Sequence, residues 1–119
     1  MSRLQIVSFK QAKKLQKLGF GWKTQYVYRQ YYNEKEKLVV DLDYYYIADT
    51  IELKAPEVAL ALKWFRDVKN IRYDIDYYKY IETHYYYFYI NGKEGNIRCK
   101  TYEEAESCLL DKLIKEEEK

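Results

Sequence analysis

The spacing of apolar positions changes several times along this chain, and each change marks an element. Between Ser8 and Gly19 the apolar residues Phe9, Ala12, Leu15 and Leu18 recur at helical intervals. Ser8 stands where an N-cap belongs, and Gln11 three residues on completes a capping box. Gly19 supplies the expected stop. Residues 20–33, centred on Gln25–Tyr32, read as a strand, Asn33–Glu36 as a turn and Leu38–Tyr46 as a second strand, which predicts an antiparallel hairpin. A less regular stretch runs to Ala55. The second helix is expected to start at Pro56, whose missing N–H costs nothing at the first helical position. Val58, Ala61, Leu62 and Phe65 share one side of it, and Leu60, Trp64 and Val68 form a second flank; so wide an apolar arc implies burial on more than one side. Asn70 is the expected stop.

Ile71–Tyr77 then alternates strictly, with Ile71, Tyr73, Ile75 and Tyr77 facing one way and Arg72, Asp74 and Asp76 the other. Thr83–Ile90 is a denser strand, aromatic on both faces through Tyr85, Tyr86, Tyr87, Phe88 and Tyr89. Asn91-Gly92 begins a turn, Gly95-Asn96 continues it, and Ile97–Cys99 reads as a short third strand. The last helix opens on Thr101 with Glu104, another capping box, and points Tyr102, Ala105, Leu109 and Leu113 inward. Residues 115–119 are expected to fray. The expected fold is a single α+β domain over residues 1–119, in the order α-β-β-α-β-β-β-α. An antiparallel sheet is expected, with helices packed on one face.

Charge refines this picture. Residues 1–37 carry nine basic and two acidic side chains, and residues 101–119 carry three and seven, within a net charge of +2. Lys10, Lys13, Lys14 and Lys17 fall on one side of the first helix, where like charges oppose one another unless an anion sits on them; they are the candidate polyanion-binding residues. Tyrosine is the unusual component, with 16 in the chain. It suits strands, because the ring packs on a pleated face while the hydroxyl stays wet, and it also anchors interfaces.

Three stretches together carry a resemblance. They are Ser8–Leu15 followed by Gly19-Phe20; Ala55-Pro56 leading through Ala61 and Lys63-Trp64-Phe65-Arg66-Asp67 to Asn70-Ile71; and Thr101–Glu106. The pattern, over roughly residues 8–114, resembles a family of small uncharacterised proteins common in Bacteroidetes and in their phages and prophages. That resemblance implies a phage or mobile-element setting and a bacterial cytoplasm. It carries over no activity and no catalytic residues.

The side chains offer little for catalysis. Cys99 and Cys108 match no zinc spacing, and His84 is the only histidine, so neither a Cys₂His₂ nor a Cys₄ site fits within one chain. A Cys–His dyad would need His84 beside one of them, whereas a strand histidine is far more often structural. Asp41, Asp43, Asp74 and Asp76 project in pairs and would meet on a magnesium ion only if their hairpins adjoined; exposed strand acids are more often a solvated face. No phosphate-binding glycine loop is present. The α-β-β-β-α order of residues 55–119 is that of a double-stranded-RNA-binding module, but Glu103-Glu104 stands where that module needs basic residues.

The expectation is therefore a non-catalytic accessory protein without cofactor, metal, membrane or small-molecule substrate. It would act through a protein partner or a homodimer. Leu60, Trp64, Tyr85, Tyr87 and Tyr89 are the candidate contact residues. The alternative is single-stranded nucleic acid, with bases stacked on a tyrosine-rich sheet and phosphates on the first helix's lysines.

Overall fold

A computed structural model describes residues 5–31, 35–40 and 50–119. The described residues form three helices and two antiparallel three-stranded sheets, an α+β fold. The chain divides into two compact units, Met1–Glu57 and Val58–Lys119.

In the first unit, helix α1 spans Phe9–Lys17. The expected capping box is present in full. Ser8 Oγ accepts from the Gln11 N–H at 3.1 Å, and Gln11 Oε1 accepts from the Ser8 N–H at 2.9 Å. At the other end Gly19 takes a φ of 98°. Its N–H donates to the Gln16 carbonyl and that of Phe20 to the Leu15 carbonyl, closing the helix with two bonds that an L-residue at position 19 would strain. Strands β1 (Tyr26–Tyr31), β2 (Lys37–Val40) and β3 (Thr50–Ala55) make a sheet in the order β2-β1-β3. Helix α1 packs on β3. Tyr32–Glu34 and residues 41–49 of the expected hairpin lie outside the described residues, Asp41 and Asp43 among them.

The third strand of this sheet was not expected. Thr50–Ala55 does alternate, but Glu52 and Lys54 are poor strand formers. Pairing with β1 compensates for them. Glu52 lies opposite Arg29 and accepts from its Nε at 2.7 Å, and Lys54 Nζ donates to the Trp22 carbonyl at 3.0 Å. Pro56 also differs from expectation. It precedes the helix, and its carbonyl accepts from the Val7 N–H at 3.0 Å, so it ends β3 rather than opening α2.

In the second unit, α2 (Val58–Val68), β4 (Tyr73–Tyr80), β5 (Thr83–Ile90), β6 (Lys93–Glu94) and α3 (Tyr102–Glu117) follow in order. The sheet order is β4-β5-β6, α3 packs on β4 and β5, and α2 packs on α3. Asn70 ends α2 in the left-handed region (φ 57°), and the Ile71 N–H returns to the Phe65 carbonyl at 3.2 Å. Asn91 and Gly92 both have positive φ and join β5 to β6 by the two-residue turn that Asn-Gly favours. The third strand is thus 93–94 rather than 97–99. Cys99 instead makes a lone bridge, exchanging two backbone hydrogen bonds with Tyr86.

Helix α3 buries Ala105, Leu109, Leu110, Leu113 and Ile114, a wider stripe than expected, and leaves Tyr102 exposed. Its capping box is displaced. Thr101 accepts from the Glu104 N–H, but the Glu104 carboxylate accepts from the N–H of Lys100 rather than that of Thr101. The helix also continues past residue 115 to Glu117, with the Lys69–Glu117 ion pair at 4.0 Å.

In this unit Gly95 lies close against the ring of Phe88. Phe88 is fully buried. A Cβ on Gly95 would lie 2.8 Å from its ring carbons Cδ2 and Cζ. Gly95→Ala is expected to destabilise the chain by roughly 1–3 kcal/mol through forced displacement of that ring. In urea denaturation Gly95→Ala should cost less in a Phe88→Leu background than in the parent. An equal cost in both backgrounds would show that the ring is not the obstacle.

Candidate functional site

Strand β5 is aromatic on both faces, and the register with β4 decides what each face meets. Tyr78 lies opposite Tyr85, Asp76 opposite Tyr87 and Asp74 opposite Tyr89. Side chains alternate along a strand, so these six share one face. Tyr73, Ile75 and Tyr77 share the other with Tyr86, Phe88 and Ile90. That second face is the one under α3: Phe88 is buried there, and the Tyr86 ring meets that of Tyr102 on α3 at 5.9 Å, near perpendicular.

The face away from α3 is a continuous ladder of rings. Tyr78 stacks on Tyr85 at 5.0 Å, Tyr85 meets Tyr87 edge-on at 5.9 Å, and Tyr87 meets Tyr89 edge-on at 5.5 Å. Tyr85, Tyr87 and Tyr89 are half-buried, and Tyr78 is 39% exposed. The segment that bridges back at Cys99 lays the Arg98 guanidinium over the Tyr85 ring, 4.4 Å from its centroid. A hydrogen bond to Tyr89, then desolvation and the charges of Asp76 and Glu94, hold the Tyr87 phenol above its ordinary pKa. Beyond the ladder the hairpin tip exposes Tyr80 and Ile81, at 63% and 79%.

At the opposite end the face opens into a groove of about 560 Å³, lined by Arg72, Asp74, Asp76, Tyr89 and the Asn91-Gly92 turn among others. Asn91 fixes that end. Its N–H donates to the Arg72 carbonyl at 2.7 Å, and its Oδ1 accepts from the Arg72 N–H at 3.0 Å.

The candidate residues fall in different places. Tyr85, Tyr87 and Tyr89 come together as described. Leu60 is half-buried on α2. Trp64 is only 2% exposed, its ring edge-on to Phe65 at 5.1 Å with Lys69 Nζ 5.5 Å above it, which makes it a core residue rather than a surface anchor. Lys10, Lys13 and Lys17 are exposed on α1 and Lys14 is half-buried; Lys13 Nζ sits 5.4 Å over Phe9. The lysines and the tyrosines therefore belong to different units. Tyr78 and Arg98 join the site without having been expected there, and Asp74 and Asp76 join it as flanks of the ladder. The signal for them was the cross-strand register, which the sequence does not print.

Among the described residues no three His, Cys, Asp or Glu side chains come together to hold a metal ion. His84 is exposed near Tyr77, their rings 6.2 Å apart. Cys99 is buried, and desolvation, with the neighbouring Cys108 thiol and Glu104 adding to it, pushes its thiol up to about 11, the opposite of an activated nucleophile. No helix among the described residues is long and apolar enough to cross a membrane. The chain matches no family model, no curated protein and no solved structure.

The raised Cys99 value carries a pH signature. Its folded pKa lies above the ordinary thiol value of 9.0, so the buried thiol's contribution is complete below about pH 9 and is lost as pH rises towards about 11. Cys99→Ala should cost about 1 kcal/mol at neutral pH. The gap between parent and variant should narrow from pH 9 upward in denaturant titrations. A gap that stays constant to pH 11 would contradict the assignment.

Proposed function

We propose that this chain is a non-catalytic accessory protein of the phage or mobile-element type, working in a bacterial cytoplasm by binding another protein through the tyrosine face of its second unit. The observation that carries this reading is the continuity of Tyr78, Tyr85, Tyr87 and Tyr89 on a sheet face turned away from α3. A core strand would bury such rings under a helix, as β5 does with Phe88 on its other face. Half-buried tyrosines offer a large, stiff contact area at small entropic cost, with hydroxyls that can pair on arrival of a partner.

The charge around the ladder favours protein over single-stranded nucleic acid. Asp74 and Asp76 lie on the same face, so a backbone laid along the stacked rings would set its phosphates against carboxylates. At the start of α3, Glu103 and Glu104 are likewise exposed.

The test replaces Tyr85, Tyr87 and Tyr89 together by Thr, which keeps β propensity while removing the rings. Parent and triple variant are compared for self-association by light scattering and for retention of proteins from a bacterial lysate, with circular dichroism as the folding control. The expected result is a defined partner, or a dimer, held by the parent and weakened at least about a hundredfold in the variant. A parent that binds nothing, or an association indifferent to the triple change, would overturn the reading. Salt-sensitive binding of single-stranded oligonucleotides, reduced by Lys13→Glu with Lys14→Glu, would replace it with the nucleic-acid function.

A further inference from the structure

The ladder is not uniform along its length. At one end Tyr85 has Tyr78 stacked across from it and a guanidinium, Arg98, lying on its ring. At the other end the flanking groups are carboxylates. Asp76 faces Tyr87 across the β4–β5 pair, Asp74 faces Tyr89, and Glu94 faces Tyr89 from β6. These three are exposed, and among the described residues none of them has an ion-pair partner. Arg72 lines the groove with Asp74 and Asp76, also without an ion pair, so two carboxylates meet one positive charge there, and Glu94 adds a third carboxylate across Tyr89.

Tyr87 and Tyr89 make a corner there, with rings 5.5 Å apart and inclined at 69°. A ring face attracts a cation through its quadrupole, and a carboxylate beside it adds charge and hydrogen-bond acceptors. A guanidinium suits such a corner better than an ammonium. It is planar, stacks on a ring and presents a fork of donors to carboxylates, whereas an ammonium is a compact and strongly hydrated charge. The chain already demonstrates the stacking half of this geometry one rung away, with its own Arg98 on Tyr85.

We infer that the Tyr87–Tyr89 corner, framed by Asp74, Asp76 and Glu94, is a seat for an arginine side chain supplied by a partner polypeptide. This rests on the protein-binding reading above and names the chemistry of the partner. The partner segment carries arginine where it crosses these two rungs.

The test is a low-salt NMR titration of the ¹⁵N-labelled full chain with three capped pentapeptides: Gly-Arg-Gly-Arg-Gly, its citrulline isostere and its glutamate counterpart. The arginine peptide is expected to move the amide signals of Asp74, Asp76, Tyr87, Tyr89 and Glu94, and the glutamate peptide to leave them in place. Citrulline keeps the shape and loses the charge, and should bind at least about fivefold more weakly. Asp76→Asn and Glu94→Gln should each weaken the arginine peptide by about two- to fivefold without changing the unfolding midpoint appreciably. Equal binding of the citrulline and arginine peptides would overturn the arginine seat and leave the interaction reading in place. If no peptide moves these signals while the triple tyrosine variant still loses its partner, the arginine seat alone falls. If the triple variant also changes nothing, both readings fall.

Discussion

One buried ring sets the orientation of the second sheet. Phe88 is the fully buried aromatic on β5, and it is seated against Gly95, which leaves no room for a methyl group. A strand's side chains alternate, so burying Phe88 under α3 forces Tyr85, Tyr87 and Tyr89 to the opposite face. A slip of one residue would exchange the two sets and drive three phenols under the helix. Burying a phenol without a hydrogen-bond partner costs on the order of 1–3 kcal/mol, so that slip is strongly disfavoured. The wet tyrosine face is therefore a consequence of where one phenylalanine can be housed.

The rest of the site follows from this. The β4–β5 register brings Asp76 and Asp74 across from Tyr87 and Tyr89, and the Asn91-Gly92 turn brings Glu94 to the other side of Tyr89. The return of the chain at Cys99 pairs it with Tyr86 and so lays Arg98 across Tyr85. Rings of this kind attract one another by about 0.5–1.5 kcal/mol per pair, which orders the ladder before any partner arrives. An ordered aromatic face loses little further entropy on binding, and its charges then decide which partner it accepts.

Much of this was legible in the sequence because it depends on local chemistry. The Ser8–Gln11 box, the Gly19 and Asn70 stops, the limits of β5 and the Asn91-Gly92 turn each rest on a few neighbouring residues. What escaped depends on distant pairing. β3 needs β1 beside it to tolerate Glu52 and Lys54, and Pro56 takes its place from a hydrogen bond to Val7. The turn between β4 and β5 carries no glycine or asparagine; Ile81 takes a φ of 53° there, a conformation rare for a β-branched residue. Without that turn the register, and with it the company of each tyrosine, is not readable. Trp64 and the tyrosines look alike as interface residues in sequence, and only packing separates the buried one from the wet ones.

The orientation of β5 is open to a direct measurement, the nuclear Overhauser contacts between assigned tyrosine ring protons. Contacts are expected between the rings of Tyr78 and Tyr85 and between those of Tyr86 and Tyr102, 5.0 and 5.9 Å apart by centroid. Contacts from Tyr85 or Tyr87 to Tyr102 or to the buried leucines of α3 would contradict it. They would place the tyrosine ladder under the helix and remove the surface on which the functional reading stands.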